Sequence, residues 1–160
     1  MILEKGNMWD VFGSTDLFLI TTNPIINKQG LAVMGRGIAL EASKRFPYIR
    51  KDFAKRMQQL KNHGPLTVNI IKPYYGQMIG FFMVKDHWAE DAKLSLIEKS
   101  VEELCDKLTP RGQRFCSTKY LHDVRVDLNF PGIGNGKLKR EDVLPLIEKL
   151  PDNVHVWEYE

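Results

Sequence analysis

The sequence holds too few cysteines for a disulfide scaffold: only Cys105 and Cys116, neither in a Cys-x-x-Cys or Cys-x-His arrangement. They are expected to be reduced thiols in a cytoplasmic protein. The four histidines, His63, His87, His122 and His155, are scattered without metal-ligand spacing, so no metal site is expected. No apolar run approaches transmembrane length. The start, Met1-Ile2-Leu3-Glu4-Lys5, lacks the basic-then-apolar layout of a signal peptide, and no membrane partner is expected. Internal repeats, low-complexity tracts and linkers are also missing. Charge of one sign is scarce: 23 basic residues against 20 acidic ones leave a net charge of +3, which does not by itself imply nucleic-acid binding. What is present is ordinary for a globular chain: 160 residues, 43% hydrophobic and 27% charged. That size predicts one domain over residues 1–160, able to bury a single core, and we expect a monomer.

Apolar patterning predicts alternating strands and helices. Asp16 to Thr22 is a nearly continuous apolar run, as in a buried strand. Gly35-Arg36-Gly37 opens a helix through Phe46, and Pro47 suits the first position of a second helix that ends near His63-Gly64-Pro65. Leu66 to Ile71 and Met78 to Val84 read as strands joined by residues 72–77, in a hairpin arrangement. From Asp91 to Leu108, apolar residues recur at Leu94, Ile97, Val101, Leu104 and Leu108, the steps of an amphipathic helix. Val124 to Asn129 is a strand, Arg140 to Leu150 a helix and Val154 to Trp157 a closing strand, with Met1 to Lys5 as a sixth strand. The expected architecture is α/β: a central mixed sheet of about six strands between helices, in three layers.

Two glycine-rich loops stand out. Met34-Gly35-Arg36-Gly37-Ile38-Ala39 leads into a helix whose free N–H groups and positive dipole end favour a phosphate. It is not the dinucleotide fingerprint, because Leu40 stands where the third glycine would be, and a plain tight turn explains it equally well in isolation. The second loop, Phe130-Pro131-Gly132-Ile133-Gly134-Asn135-Gly136-Lys137, follows a strand and precedes a helix. It departs from a P-loop at Pro131 and at Leu138, which replaces the magnesium-binding Ser/Thr, so an ATPase is disfavoured. Two such loops together could enclose a diphosphate. Gly6-Asn7-Met8 and Thr22-Asn23 end strands, where carboxamides either form turns or meet a base or ribose. Lys85 closes the apolar run Ile79 to Val84, usually a solvated strand end. Arg50, Lys51, Lys55, Arg56 and Lys61 make the second helix basic, which a solvated face explains.

In order and spacing, Gly6-Asn7-Met8, Thr22-Asn23, Val33 to Ala39, Val84-Lys85, Leu96 to Ser100 and Pro131 to Gly136 resemble a macrodomain over nearly the whole chain. They are similar to the branch that holds the eukaryotic terminal ADP-ribose glycohydrolase, antitoxins of DNA-ADP-ribosylating toxins and related phage-encoded proteins. The resemblance implies a macrodomain-like fold with ADP-ribose in a cleft at one end, and no cofactor. It places Asn7, beside Met8, on the adenine and Asn23 on the distal ribose. Met34, Gly35, Arg36, Gly37 and Ile38 would wrap the distal ribose and diphosphate. Gly132, Ile133, Gly134, Asn135 and Gly136 would close over the diphosphate from the other side. Lys85 matches the lysine that attacks the anomeric carbon in the glycohydrolase.

The implied partner is ADP-ribose or an ADP-ribosylated macromolecule, including contact with modified nucleic acid. The implied reaction is hydrolytic removal of ADP-ribose from DNA or protein, in the host cytoplasm if phage-encoded. Two alternatives share the ligand: a phosphatase acting on ADP-ribose 1″-phosphate, and a reader or sponge without catalysis. Family glycohydrolases carry an acidic residue just after the second glycine loop, where this chain reads Lys137-Leu138-Lys139. Pro24 to Leu31 also lengthens the first loop. A nucleophilic Lys85 must be neutral, and an ordinary lysine of pKa about 10.4 is only ~0.04% neutral at pH 7. Phe81, Phe82 and Trp88 are the candidates to bury it and lower that pKa.

Overall fold

A computed structural model of the chain describes residues 1–60, 68–74 and 76–159. The predicted helix end at His63-Gly64-Pro65, the strand start at Leu66, and Lys61 lie outside the described residues. In chain order the elements are β1 (Ile2–Lys5), β2 (Leu17–Thr22), α1 (Gly37–Arg45), α2 (Ile49–Leu60), β3 (Val68–Tyr74), β4 (Gln77–Met83), α3 (Leu94–Lys107), β5 (Val126–Asn129), α4 (Arg140–Ile147) and β6 (Val154–Glu158). The strands form one sheet in the order β1-β6-β5-β2-β4-β3. Every neighbouring pair is parallel except β3 with β4 at the edge.

Alternation along β2 divides the core. Leu17 and Leu19 join the cluster that includes Ile97, Val101 and Leu104 of α3 and Val143 and Ile147 of α4. Phe18 and Ile20 point the other way, into the cluster with Ala39 and Ala42 of α1 and Ile49, Phe53 and Met57 of α2. All four β2 residues are fully buried, which a strand covered on both faces requires. Phe53 stacks on Phe81 of β4 at 3.6 Å between ring centroids. The three-layer α/β/α architecture with a mixed six-stranded sheet is therefore as expected.

The element boundaries differ in instructive ways. The second helix starts at Ile49, not Pro47, with Pro47 and Tyr48 forming a turn before it. The third starts at Leu94 rather than Asp91, because Lys93 before it is extended, at φ −118° and ψ 126°, in a segment held to its neighbours: Ala92 N–H donates to Gly136 O at 3.0 Å and Lys93 N–H to Val84 O at 2.9 Å. The fourth stops at Ile147. The hairpin is tighter than the expected six-residue link, since β3 runs through Lys72 and Pro73 to pair Tyr74 with Gln77. Pro73 is tolerated there because β3 is an edge strand and its register shifts between Ile70 and Pro73.

One buried charge ties the sheet to the chain end. Asp127 of β5 is fully buried and accepts two bonds from Arg125, at 2.9 and 3.0 Å, one from Trp157 Nε1 at 2.7 Å, and one from the Thr15 hydroxyl. Burial alone would raise its pKa, but the bonds from Arg125, Thr15 and Trp157 outweigh it and hold the carboxyl below its usual range. A carboxyl with a depressed folded pKa stabilises the fold above the unfolded value of about 3.9, and loses that contribution as pH falls through the folded value. Asp127→Asn should therefore cost about 1–3 kcal/mol at pH 7, because Arg125, the charge left behind, reaches solvent. In thermal melts the gap between variant and wild type should close as pH drops below about 4; a constant gap would contradict the ionic origin.

Candidate functional site

Because β1, β2, β4, β5 and β6 run parallel, the loops leaving their carboxyl ends gather at one end of the sheet. In open α/β sheets that end is where ligands bind. Two adjoining cavities lie there, of about 510 and about 430 Å³. The first takes Asn23 after β2, Met34, Gly35 and Arg36 of the first glycine loop, Lys85 after β4, and Gly132 and Gly136 of the second loop. The second takes Asn7 and Met8 after β1, Gly134, and Trp157 and Glu158 at the end of β6. Gly37, Ile38, Ile133 and Asn135 line both, so the two glycine loops form the waist between the cavities. Lys85 and every residue expected to bind ADP-ribose thus line one or other of these two adjoining cavities.

At the first loop, Arg36 caps α1 with its backbone alone, and no acidic side chain occupies the first turn. The N–H groups of the first helical turn therefore meet no competing carboxylate, and the helix dipole adds partial positive charge. Gly37 has φ +57° and its absent side chain leaves Asn135 Nδ2 where a Cβ would stand 3.2 Å away. Gly35 is different: its backbone is ordinary and the space around it is open. In the second loop, Gly132 combines φ +78° with a Cβ position 2.6 Å from Ile97 Cδ1, so it is fixed by packing as well as by backbone angle. Lys137 carries φ +62° at the end of that loop, a left-handed conformation on a side-chain-bearing residue.

Lys85 Nζ donates to Asn135 O at 3.3 Å, which joins β4 to the second glycine loop. Its pKa is pushed down, first by burial, then by the nearby Arg36 guanidinium, with Lys137 adding a smaller repulsion; Asp91 pulls the other way. Of the three aromatic residues expected to bury it, only Trp88 lines the cavity; Phe81 and Phe82 belong to the two core faces. The position after the second glycine loop holds Lys137 in place of an acidic residue, and the carboxylate that stands beside it is that of Asp91, at 3.7 Å.

Both strand-end asparagines are already engaged. Asn7 Oδ1 accepts Trp9 N–H at 3.0 Å and caps a short helical turn, Met8–Val11. Buried Asn23 donates to Val33 O at 3.0 Å and accepts from Ile25 N–H at 2.9 Å, bracing the long first loop. Sequence reasoning missed Arg50, Asn129, Phe130 and the terminal Trp157-Glu158-Tyr159. Arg50 lines the first cavity and its Nε donates to Ala32 O at 2.7 Å. From the sequence it reads as one cation of a solvated helix face. Asn129 bridges to β2 through Thr21 N–H, at 3.1 Å, and the Thr21 hydroxyl, at 2.7 Å. A carboxamide at the end of an apolar strand was the signal for it, as for Asn23. Among the described residues there is no cluster of His, Cys, Asp and Glu able to hold a metal, and no helix long and apolar enough to cross a membrane.

No protein-family model matches the chain. Two curated proteins, from Mycobacterium bovis and Mycobacterium tuberculosis, each described as a DNA ADP-ribosyl glycohydrolase, are 28% identical over 152 residues and cover 88% of it. The chain spans only 39% of their length. Among solved structures, the macrodomain of Mycobacterium tuberculosis DarG superposes with a TM-score of 0.69 at 22% identity, covering 99% of both chains. The macrodomain of Thermus aquaticus DarG gives 0.68 at 21%, over 99% of this chain and 97% of that one. Thermosipho africanus DarTG in complex with ADP-ribose gives 0.69 at 16%, over 98% of this chain and 41% of that one. The fold is that of a macrodomain. Within that class the chain is similar to the DarG macrodomains.

The open space at Gly35 separates fold from binding. Gly35→Asp should leave the melting temperature within about a degree, because nothing is displaced and surface changes are usually small. A carboxylate at that mouth should weaken binding of a diphosphate nucleotide roughly tenfold or more. Unchanged calorimetric affinity in the folded variant would remove phosphate from this loop.

Proposed function

We propose that the protein binds ADP-ribose across the two adjoining cavities and hydrolyses its bond to a modified macromolecule. The nucleotide class is supported by the waist of two glycine loops, flanked by Arg36, Arg50, Lys85 and Lys137. Adenosine would occupy the cavity of Asn7, Met8 and Trp157, the diphosphate the waist, and the distal ribose the cavity of Asn23 and Lys85. The similarity to proteins described as DNA ADP-ribosyl glycohydrolases supports modified DNA as the substrate. We also read residues 1–160 as one domain that acts as a monomer in the cytoplasm, supported by the pairing of the first strand with the last and by the free thiols of Cys105 and Cys116.

The observation that carries the catalytic reading is Lys85. Its amine stands at the cavity beside the second glycine loop, with a lowered pKa that enlarges its neutral fraction. In the first step the Nζ lone pair forms a bond to the anomeric carbon. The bond from that carbon to the macromolecule breaks, and its electron pair leaves with the macromolecule, which takes up a proton from solvent. Water then adds to the lysine-linked sugar carbon, gives up one proton to solvent, and the amine departs with the electron pair of its bond, releasing ADP-ribose and regenerating Lys85. One water is consumed overall. The residue after the second glycine loop is Lys137 rather than an acid, and that observation favours the second reading, a non-catalytic reader of ADP-ribose, although the carboxylate of Asp91 pairs with Lys137 from the segment before α3.

Lys85→Ala should lower turnover of an ADP-ribosylated oligonucleotide by at least a hundredfold, the scale of losing a nucleophile. For the wild type, kcat should rise with pH as the amine deprotonates and level off below pH 10.5, because the pKa is lowered from that value. Wild-type turnover by Lys85→Ala would contradict the nucleophilic role. ADP-ribose binding with no turnover by the wild-type protein would establish the reader.

A further inference from the structure

We infer that Trp88 and His87 form a stacking platform for a nucleobase of the modified DNA, and so set the preference of the site for that substrate over a modified protein. The inference rests on the proposed hydrolase reading and adds the nucleobase subsite to it. Trp88 lines the same cavity as Lys85, yet 48% of it is exposed. Its indole therefore presents exposed aromatic surface at the cavity that holds Lys85. His87 extends that surface, its ring 5.1 Å from the Trp88 ring at 33°.

The platform is held in place before any substrate arrives. Glu90 N–H donates to His87 O and Ala89 N–H to His87 Nδ1, both at 3.1 Å. Lys93 Nζ joins Asp86 at 2.6 Å and Glu90 at 3.4 Å across the turn. Ala92 N–H and Lys93 N–H pin the far end of the segment to the second glycine loop and to Val84. With Nδ1 accepting, a neutral His87 carries its proton on Nε2, a donor for a base or phosphate oxygen.

The chemistry around the platform favours a nucleic-acid strand over a protein. An indole recognises a flat heterocycle through its whole face, and a carboxylate or hydroxyl leaving group offers no such face. Arg36 and Arg50 line the same cavity, so the positive charge that faces the diphosphate of ADP-ribose also favours the approach of a polyanionic strand. Lys93 bridges both Asp86 and Glu90 and offsets one of their two negative charges, which lessens the repulsion a polyanion meets at the platform.

The test compares wild type, Trp88→Ala and Trp88→Phe on an oligodeoxynucleotide carrying ADP-ribose on a base and on a peptide carrying ADP-ribose. Calorimetric affinity for free ADP-ribose and melting temperature are measured on the same preparations. Trp88→Ala should raise KM for the oligonucleotide roughly 5- to 150-fold, the range of one base-on-aromatic stack. Its kcat should change less, and Trp88→Phe should recover most of the loss. Wild type should prefer the oligonucleotide by kcat/KM. An oligonucleotide KM unmoved in Trp88→Ala, an equal rise in KM for the peptide, or a wild-type preference for the peptide would overturn the platform while leaving the hydrolase reading intact. A wild-type protein that fails to bind ADP-ribose would overturn the hydrolase reading and this one with it.

Discussion

Strand β2 is hydrogen-bonded in parallel to β4 on one side and to β5 on the other, and this pairing decides where the site falls. Parallel register sends the chain out of all three strands at the same end, so Asn23, Lys85 and the loop after Asn129 converge without any long-range search. The side chains that hold the register are apolar and fully buried on both faces of β2. A polar link supplements them: Asn129 grips Thr21 of β2 through its backbone N–H and its hydroxyl, at the level where both strands end. The site is therefore a consequence of core packing, and damage to β2 would disperse it.

Above that sheet, the loops are held by bonds between one another as much as by their own turns. Asn135 O accepts from Lys85, Gly136 O accepts from Ala92 N–H, and Ala32 O accepts from Arg50. Small residues make the contacts close: a Cβ on Gly136 would stand 2.9 Å from that of Ala92. Such cross-bracing fixes positions before a ligand is present, which reduces the ordering cost of binding. It also sets the electrostatics. Burial of Lys85 and, after it, the positive charge of Arg36 and Lys137, opposed by Asp91, make that lysine give up its proton more readily.

Much of this was legible in the sequence where a residue type has one dominant physical use. The apolar run ending in Thr22 announced a strand buried on both faces, and the three- and four-residue steps from Leu94 to Leu108 announced α3. The paired glycine loops pointed to close backbone approach. Illegible were features that depend on a partner distant in sequence. Nothing local says that Ala92 and Lys93 bond Gly136 and Val84 ahead of α3, or that Arg50 turns toward Ala32. The shared use of Asp127 by Arg125, Thr15 and Trp157 is equally hidden, because it joins both ends of the chain. Gly35 and Gly37 look alike in sequence, yet only Gly37 has a backbone angle that favours glycine.

The central claim is that one diphosphate nucleotide with two riboses spans both cavities through the glycine waist. Calorimetric titration of the wild-type protein with ADP-ribose, against AMP, ATP and NAD, tests it most directly. The account predicts one site per chain, with ADP-ribose bound at least tenfold more tightly than AMP, which fills one cavity alone, and more tightly than ATP, which lacks the distal ribose. Equal affinity for AMP and ADP-ribose, or no detectable binding of ADP-ribose, would contradict it.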